Sequence, residues 1–135
     1  MSNRLQVIQS IFDDLIQNGS TETLMSSVTE DVLLRNAIPK WAPFGGQYQG
    51  KAGILDYFAR VDTVLEMHSL RANSYFDNGD QLVVLGDEVL RIKATGEEFF
   101  SEWCTVFSFR DECVSAILVI EDHLPLCGAI QRSRE

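Results

Sequence analysis

Two acidic residues could carry chemistry, because each lies in a stretch that is otherwise mostly apolar. Glu88 lies within Gln81–Ile92, and Asp122 ends the stretch Val114–Asp122. Both stretches are rich in the β-branched residues that favour strands. A carboxyl group among apolar neighbours keeps its proton to a higher pH than one in water, so it can exchange protons with a bound substrate near neutral pH. These residues therefore indicate general acid–base catalysis.

Hairpin turns determine how these two carboxyl groups lie relative to each other. A third strand, Phe99–Phe109, lies between them, and Thr95-Gly96 and Asp111-Glu112 occupy the positions of two-residue loops. Counting outward from such loops sets the strand register, and the register decides which side chains share a face. The count predicts that one face carries Glu88, Leu90, Ile92, Trp103, Thr105, Phe107, Leu118, Ile120 and Asp122. We therefore expect both carboxyl groups to reach one site beside an indole ring.

Arg71 is the basic residue that we expect beside Glu88. A count around the strong turn signal Asn78-Gly79 places it diagonally next to Glu88, on the face that the helices cover. An ionised carboxylate away from water needs such a partner. Whether this pair only holds two strands together or belongs to a catalytic site stays open.

Asp122 also has alternatives, since it could act as a general base, cap backbone amides after its strand or accept the indole N–H of Trp103.

Aromatic residues would supply the apolar surface for a ligand. The loop from Lys40 to Gly50 carries more aromatic surface than a solvated connection needs, and such a loop often covers the mouth of a cavity. A flat apolar ligand would stack on rings of this kind. The predicted substrate-binding residues are Trp41, Tyr48, Tyr57 and Trp103. Core packing alone also explains Tyr48 and Tyr57, so this alternative stays open for both.

The elements that must position these residues follow from hydrophobic periodicity. Apolar residues at helical spacing predict a helix that Gly19 ends, a short helix after Ser20 and a third helix that Gly50 opens. Alternating and β-branched residues predict strands at Val32–Ile38 and His68–Phe76, before the three strands already described. This order favours an α+β fold in which a curved antiparallel sheet wraps around three N-terminal helices and forms a cone with an internal pocket.

Composition excludes several classes of partner. The chain has 135 residues, which suits one domain over residues 1–135. Its net charge of -9 disfavours nucleic acid and anionic membranes, because both bind clustered Lys and Arg. The chain starts without the apolar run of a secretion signal, and no stretch is long enough to cross a bilayer, so we expect a cytoplasmic protein. Three cysteines and two histidines lack metal-ligand spacing and no phosphate loop is present, so we expect neither a metal nor a cofactor.

The opposite face of the predicted sheet is apolar as well. The count places on it Val89, Glu102, Cys104, Val106, Ile117, Val119 and Glu121. A sheet that is apolar on both faces needs two covers, and the helices provide only one. We therefore expect a homodimer in which this outer face packs against a second subunit.

Several glycines, aromatic residues and turns together resemble a known family. The matching positions are Tyr48-x-Gly50-x-x-Gly53-Ile54-x-x-Tyr57-Phe58, Gly79-Asp80-x-x-Val83-Val84, Thr95-Gly96, Trp103-x-x-Val106-Phe107 and the closing Asp122. With them the chain resembles the SnoaL-like family of the nuclear transport factor 2-like superfamily, which also contains ketosteroid isomerases, limonene epoxide hydrolases and scytalone dehydratases. The resemblance covers nearly the whole chain and implies the same cone-shaped fold. One fold hosts many chemistries, so it constrains the reaction less.

The resemblance also implies roles for individual residues. Ketosteroid isomerases carry a hydrogen-bonding Tyr where this chain has Phe12, and a proton-shuttling Asp where it has Ala42. Steroid isomerisation by that mechanism is therefore disfavoured, and Phe12 would only line the pocket. SnoaL-type polyketide cyclases use an acidic residue at the end of the last strand as the general base, here Asp122. The expected catalytic residues are Asp122, Glu88 and Arg71.

The function expected from these observations is a cofactor-free acid–base enzyme that acts on a hydrophobic small molecule. Cyclisation, isomerisation and dehydration are all compatible with such a site. The alternative is a non-catalytic domain of the same fold that binds a ligand, dimerises or contacts a partner protein through its sheet.

Overall fold

Four helices and six strands make up residues 3–134, which the computed structural model of the chain describes apart from the side chain of His123. In chain order they are α1 (Arg4–Asn18), α2 (Glu22–Ser27), β1 (Val28–Asn36), β2 (Gln47–Gln49), α3 (Gly50–Val64), β3 (Leu65–Asp77), β4 (Gln81–Ile92), β5 (Glu98–Arg110), β6 (Cys113–Glu121) and α4 (His123–Ser133). The strands form one sheet in the order β2-β1-β6-β5-β4-β3. Neighbours are antiparallel, except that β1 and β6 are parallel. The predicted α+β fold with a curved sheet against helices is confirmed.

Helices α1 and α3 contribute apolar side chains to the core. Their buried residues are Ile8, Ile11 and Phe12 in α1, and Ile54 and Tyr57 in α3. Helix α1 ends at Gly19 as predicted, where a positive φ of 61° lets the Gly19 N–H donate back to Leu15 O. Glycine adopts this conformation without steric cost. No helix within residues 3–134 combines the length and the apolar character needed to cross a membrane.

The sequence pattern does not predict two of these elements. Strand β2 has only three residues and lies inside the predicted aromatic loop. Helix α4 contains Pro125 in its first turn, where proline is tolerated, and Gly128, which lowers helix propensity. Burial outweighs this propensity, because Leu126 and Ile130 of α4 belong to the core.

The register between β5 and β6 differs from the prediction by one residue. Phe109 pairs with Val114 as expected, but Phe107 pairs with Ile117 because a bulge interrupts the ladder next to Ser108. A shift of one residue turns every later side chain of a strand to the other face. The predicted inner residues of β6 were therefore wrong. Ile117, Val119 and Glu121 face inward, in place of Leu118, Ile120 and Asp122.

The register between β4 and β5 differs by two residues, which has a milder consequence. Glu88 pairs with Ser101, and Trp103 pairs with Gly86. The cause is a longer loop, in which the Ile92 N–H donates to Glu97 O. A shift of two residues keeps each side chain on its face. Glu88 and Trp103 therefore share the inner face, as the sequence predicts.

Arg71 pairs with Asp87 and not with Glu88, so the predicted ion pair was wrong. Its Nε donates to Asp87 Oδ1 at 2.8 Å and its Nη2 to Asp87 Oδ2 at 2.9 Å, on the outer face of the sheet. The turn pairs Asp77 with Leu82, which is two residues from the predicted register, and the irregularity between Ala72 and Ser74 removes one of these two. Arg71 is therefore displaced by one residue and faces outward. The Arg71 side chain is exposed, so this pair adds little to stability.

Candidate functional site

The helices and the sheet surround a pocket of about 130 Å³. Its lining is mostly apolar: Ile11, Phe12, Leu15, Leu24, Leu34, Phe58, Leu70, Phe107, Ile117 and Val119. Five further lining residues carry polar atoms: Tyr57, Glu88, Trp103, Thr105 and Glu121. A mostly apolar pocket with a few converging polar groups is the usual form of a small-molecule site. We call it the inner pocket.

Two carboxyl groups share the inner pocket. Glu88 belongs to β4 and Glu121 to β6, on either side of β5, where Trp103 pairs with both Gly86 and Glu121. Glu88 is only 6% exposed. No lysine, arginine or histidine is found among the described residues that line the pocket. Two buried carboxylates without a cation repel each other, so the pair is stable only when it retains a proton.

Burial raises the pKa of both carboxyl groups above the usual range of glutamate. For Glu88, the negative charge of Glu121 and the hydrogen bond between the two carboxyl groups raise the pKa further. The same hydrogen bond acts in the opposite direction on the pKa of Glu121 and partly offsets its burial. A coupled pair of buried carboxyl groups keeps one proton between them, because both cannot ionise at so short a distance. The pair therefore holds an acid and a base side by side, with one proton shared between them.

Trp103 adds a hydrogen-bond donor to the same pocket. Its ring stacks on Phe12 with the ring centroids 5.3 Å apart. Within residues 3–134, its buried Nε1–H has no acceptor, and the buried Oε1 of Glu88 receives no N–H or hydroxyl hydrogen bond. Buried polar groups are nearly always paired in proteins. A ligand that accepts from the indole N–H would satisfy this donor.

Tyr57 brings a phenol group towards the carboxyl pair. Burial raises its pKa well above the usual range, and the charges of Glu121, Glu88 and Tyr48 act in the same direction. Tyr57 therefore keeps its proton and can act only as a neutral hydrogen-bonding group. Tyr48 packs edge-on against it, with ring centroids 5.2 Å apart, and supports it from the side.

Gly86 provides the space that the Trp103 indole occupies. A Cβ atom at this position would lie 2.2 Å from Trp103 Cζ2 and 2.1 Å from Arg71 O. Real Cβ atoms do not approach other atoms so closely, and the second of these contacts is with rigid backbone. The glycine in β4 is thus what allows the indole to lie flat across the sheet.

We expect Gly86→Ala to destabilise the protein by about 2 kcal/mol, because the added methyl group overpacks the site. In a Trp41→Phe background, the fluorescence of Trp103 should change as its ring is displaced, and urea denaturation should report the loss of stability. Gly128→Ala is the matched control, since its Cβ would meet only the flexible end of Arg132, with 3.2 Å to Nη1. An unchanged urea midpoint and spectrum in Gly86→Ala would contradict the assigned position of the indole.

The structure brings together four of the residues that the sequence singles out. Phe12, Tyr57, Glu88 and Trp103 all line the inner pocket. Tyr48 is buried behind Tyr57 and does not appear in the lining.

The other three predicted residues lie outside the inner pocket. Asp122 is exposed at the N-cap of α4, where its backbone N–H donates to Glu102 O. Arg71 lies on the outer face of the sheet, for the reason given above. Trp41 is 42% exposed and packs under the guanidinium of Arg134. The placements predicted for Asp122, Arg71 and Trp41 were therefore wrong.

Glu121 is the acidic pocket residue that the predicted register missed. It directly precedes Asp122, so the sequence does place an acidic residue at the end of the last strand. Which of the two faces inward depends on whether the strand contains a bulge. The sequence shows two adjacent acidic residues, and the bulge determines which of the two faces inward.

Comparison with solved structures identifies the same fold in other proteins. TerC, co-crystallised with polyporic acid, matches with a TM-score of 0.83 and 23% identity over 96% of this chain and 99% of TerC. An NTF2-like protein of unknown function from Burkholderia pseudomallei K96243 matches with a TM-score of 0.85 and 18% identity over 95% of this chain and 97% of that one. A protein of ketosteroid isomerase-like fold from Catenulispora acidiphila DSM 44928, in complex with trimethylamine, matches with a TM-score of 0.68 and 16% identity over 84% and 83% of the two chains.

Sequence comparison gives the family. No curated protein matches the chain. The family profile described as the SnoaL-like domain matches residues 8–117, from the second turn of α1 to the middle of β6. The chain belongs to the SnoaL-like domain family.

Proposed function

We propose that this protein is a cofactor-free acid–base enzyme that acts on a hydrophobic small molecule in the inner pocket. The observation that carries the proposal is the pair of buried carboxyl groups, Glu88 and Glu121, in an apolar pocket whose described lining residues include no basic side chain. Isomerisation, cyclisation and dehydration of carbonyl compounds commonly begin with the same step, removal of a proton from a carbon next to a carbonyl group. A base beside an acid suits that step.

We assign the shared proton to Glu88, because the hydrogen bond between the two carboxyl groups raises the pKa of Glu88 and lowers that of Glu121. Glu121, as the ionised partner, takes the proton from the carbon, and the electron pair of the C–H bond moves to the carbonyl oxygen. Glu88, as the protonated partner, donates a hydrogen bond to that oxygen as its negative charge develops, and the Trp103 N–H is a second donor. Return of the proton to another carbon completes an isomerisation. Attack of the enolate carbon on a second carbonyl group of the substrate gives a cyclisation, in which the proton on Glu121 passes to the new alkoxide oxygen. Loss of a β-hydroxyl group, which takes the same proton and leaves as water, gives a dehydration.

The similar structures support the small-molecule part of the proposal. TerC was co-crystallised with polyporic acid, and the Catenulispora acidiphila protein is in complex with trimethylamine. Another similar structure is a putative SnoaL-like polyketide cyclase from Mesorhizobium loti, at 15% identity and a TM-score of 0.72. Proteins of this fold thus hold small molecules, and the carboxyl pair is what favours proton transfer in this chain.

Exchange of carbon-bound hydrogen tests the proposal without knowledge of the natural substrate. The protein is incubated in D₂O with cyclohexanone or 2-indanone, and loss of the α-proton signal is followed by NMR. We expect exchange faster than in buffer alone, because Glu121 would remove the proton and return a deuteron. Binding of these ketones, monitored by Trp103 fluorescence in a Trp41→Phe background, without any exchange above buffer would favour the non-catalytic alternative.

The proposal includes a homodimer formed through the outer sheet face, which we define by its exposed apolar residues Phe76, Leu85, Phe100 and Ile120. These residues support a partner surface, because they lie on the side of the sheet away from the helices. Ile117 and Val119, which the sequence assigned to this face, line the inner pocket instead.

We expect Leu85→Asp to convert the dimer into a monomer, since it would bury a charge in the contact. Analytical ultracentrifugation at micromolar concentration measures the change. Leu55→Asp is the control, because Leu55 is also about half exposed, at 51%, but lies on α3. A wild-type protein that sediments as a monomer would remove the dimer from the proposal.

The cytoplasm is the proposed location. Cys104, Cys113 and Cys127 are all free thiols in the structure. Free thiols persist in reducing compartments, which supports this location.

A further inference from the structure

A second cavity lies next to the inner pocket. It has a volume of about 720 Å³ and lies between the end of α1, the helix α3 and the strand β3. Leu65 and Leu90 are its buried residues, and Ile16 and Met67 are about half exposed along it. We call this cavity the outer groove.

The inner pocket and the outer groove share three lining residues, Leu15, Phe58 and Leu70. These side chains come from three different elements, α1, α3 and β3, and each is partly buried. Residues that line both cavities must lie between them. Leucine and phenylalanine change rotamer without breaking any hydrogen bond, so this partition can open without loss of polar contacts.

The volumes show that a typical ligand needs both cavities. A cavity of about 150 Å³ holds a single benzene ring, so the inner pocket at about 130 Å³ has room for one ring. Pockets for larger organic ligands are roughly 300–1,000 Å³. A substrate larger than one ring must therefore extend past the partition into the outer groove.

The two ionisable side chains that line the outer groove, Asp62 and His68, already have partners. Lys93 Nζ lies 3.7 Å from Asp62 Oδ1, and His68 Nδ1 lies 3.2 Å from Glu98 Oε1. These pairs offer no unpaired charge to an ionic ligand group, whereas Leu65, Leu90 and Met67 offer apolar contact. An uncharged apolar extension fits this surface best.

We infer that the substrate has two parts: a single reactive ring that enters the inner pocket, and an uncharged apolar extension that lies in the outer groove past Leu15, Phe58 and Leu70. This inference rests on the proposed function, because it places the reactive ring at the carboxyl pair. It adds a second binding site to that function and defines the class of substrate, an elongated hydrophobic molecule and not a compact one.

A series of phenols tests the inference by binding alone. Affinities of phenol, 4-propylphenol and 4-hexylphenol are measured by isothermal titration calorimetry. In the wild-type protein we expect each added methylene to strengthen binding roughly two- to fourfold, because it buries apolar surface in the groove. Val61→Phe narrows the groove, so phenol should bind within about twofold of wild type while the gain with chain length becomes smaller. Leu55→Phe, on the same helix but in neither cavity, should behave like wild type.

Met67→Glu is a second variant. Met67 is 48% exposed, so this change should not impair folding, and a change in binding can be assigned to the groove. The variant should weaken 4-hexylphenol binding about tenfold and leave phenol binding unchanged. The inference would be overturned if no phenol of the series bound, or if all three bound the wild-type protein with equal affinity. It would also be overturned if affinity increased with chain length in both groove variants as much as in the wild type. Failure of deuterium exchange with an intact chain-length effect would instead reject the proposed acid–base chemistry and leave the two-part site standing.

Discussion

Replacing Glu121 with glutamine is expected to lower the rate of proton exchange by roughly 100-fold or more, because general base catalysis commonly contributes this much. Glutamine has nearly the same shape, so the inner pocket should keep its form. It cannot accept a proton from carbon, and it also ends the sharing of one proton with Glu88. NMR of deuterium incorporation into 2-indanone measures the rate, and thermal unfolding checks that the variant is folded.

Asp122→Asn provides a matched control for this experiment. It makes the same change of charge one residue further along the chain, at an exposed position outside the pocket. Exchange by Asp122→Asn should stay within about threefold of wild type. The opposite result, with activity lost in Asp122→Asn and kept in Glu121→Gln, would show that the unbulged register is correct and that Asp122 reaches the substrate.

The sequence alone does not decide whether Glu121 or Asp122 faces the inner pocket. Alternation of apolar residues predicts that β6 is a strand and that one of its last two residues faces inward. A single extra residue beside Ser108 reverses the alternation, and no residue type in that region signals the bulge. A register error of one residue moves a side chain to the other face of the sheet. The register error between β4 and β5 is two residues, so Glu88 stays on the predicted face.

Local sequence patterns do not predict contacts between distant segments of the chain. The pairing of Arg71 with Asp87 depends on irregularities in a long strand, and local sequence does not show where these occur. Helix α4 forms in spite of Pro125 and Gly128 because its apolar side is buried in the core, and propensity alone does not include that burial. In contrast, α1, α3 and the long hairpins have strong periodicity and clear turn residues, and for this reason their existence was predictable.

Stability is expected to fall as the pH rises from about 5.5 to about 8, by up to about 1.4 kcal/mol per pH unit. The cause is the raised pKa of Glu88, which results from its burial and from the negative charge of Glu121. Between the ordinary pKa of a glutamate and this raised value, the folded protein binds more protons than the unfolded chain. Raising the pH across this range therefore favours the unfolded chain. Urea denaturation at several pH values measures the slope.

Other carboxyl groups act in a separate pH window. The Arg110 guanidinium lowers the pKa of Asp31 to about 2, and hydrogen bonds lower the pKa of Asp14 and Asp87. A lowered pKa gives stability that is present above the ordinary aspartate range and is lost only as the pH falls through the lowered value. These groups therefore do not contribute to the slope between about pH 5.5 and about pH 8.

Glu88→Gln assigns the pH dependence to the buried pair. Glutamine keeps the hydrogen-bonding shape of the protonated carboxyl but cannot ionise, so most of the slope should disappear and stability at about pH 8 should exceed that of wild type. Glu102→Gln, on the exposed side of β5, should keep the wild-type slope. A wild-type protein whose stability does not change over this range would mean that both carboxyl groups ionise in the folded state as they do in water. The inner pocket would then lack the protonated acid on which the proposed catalysis depends.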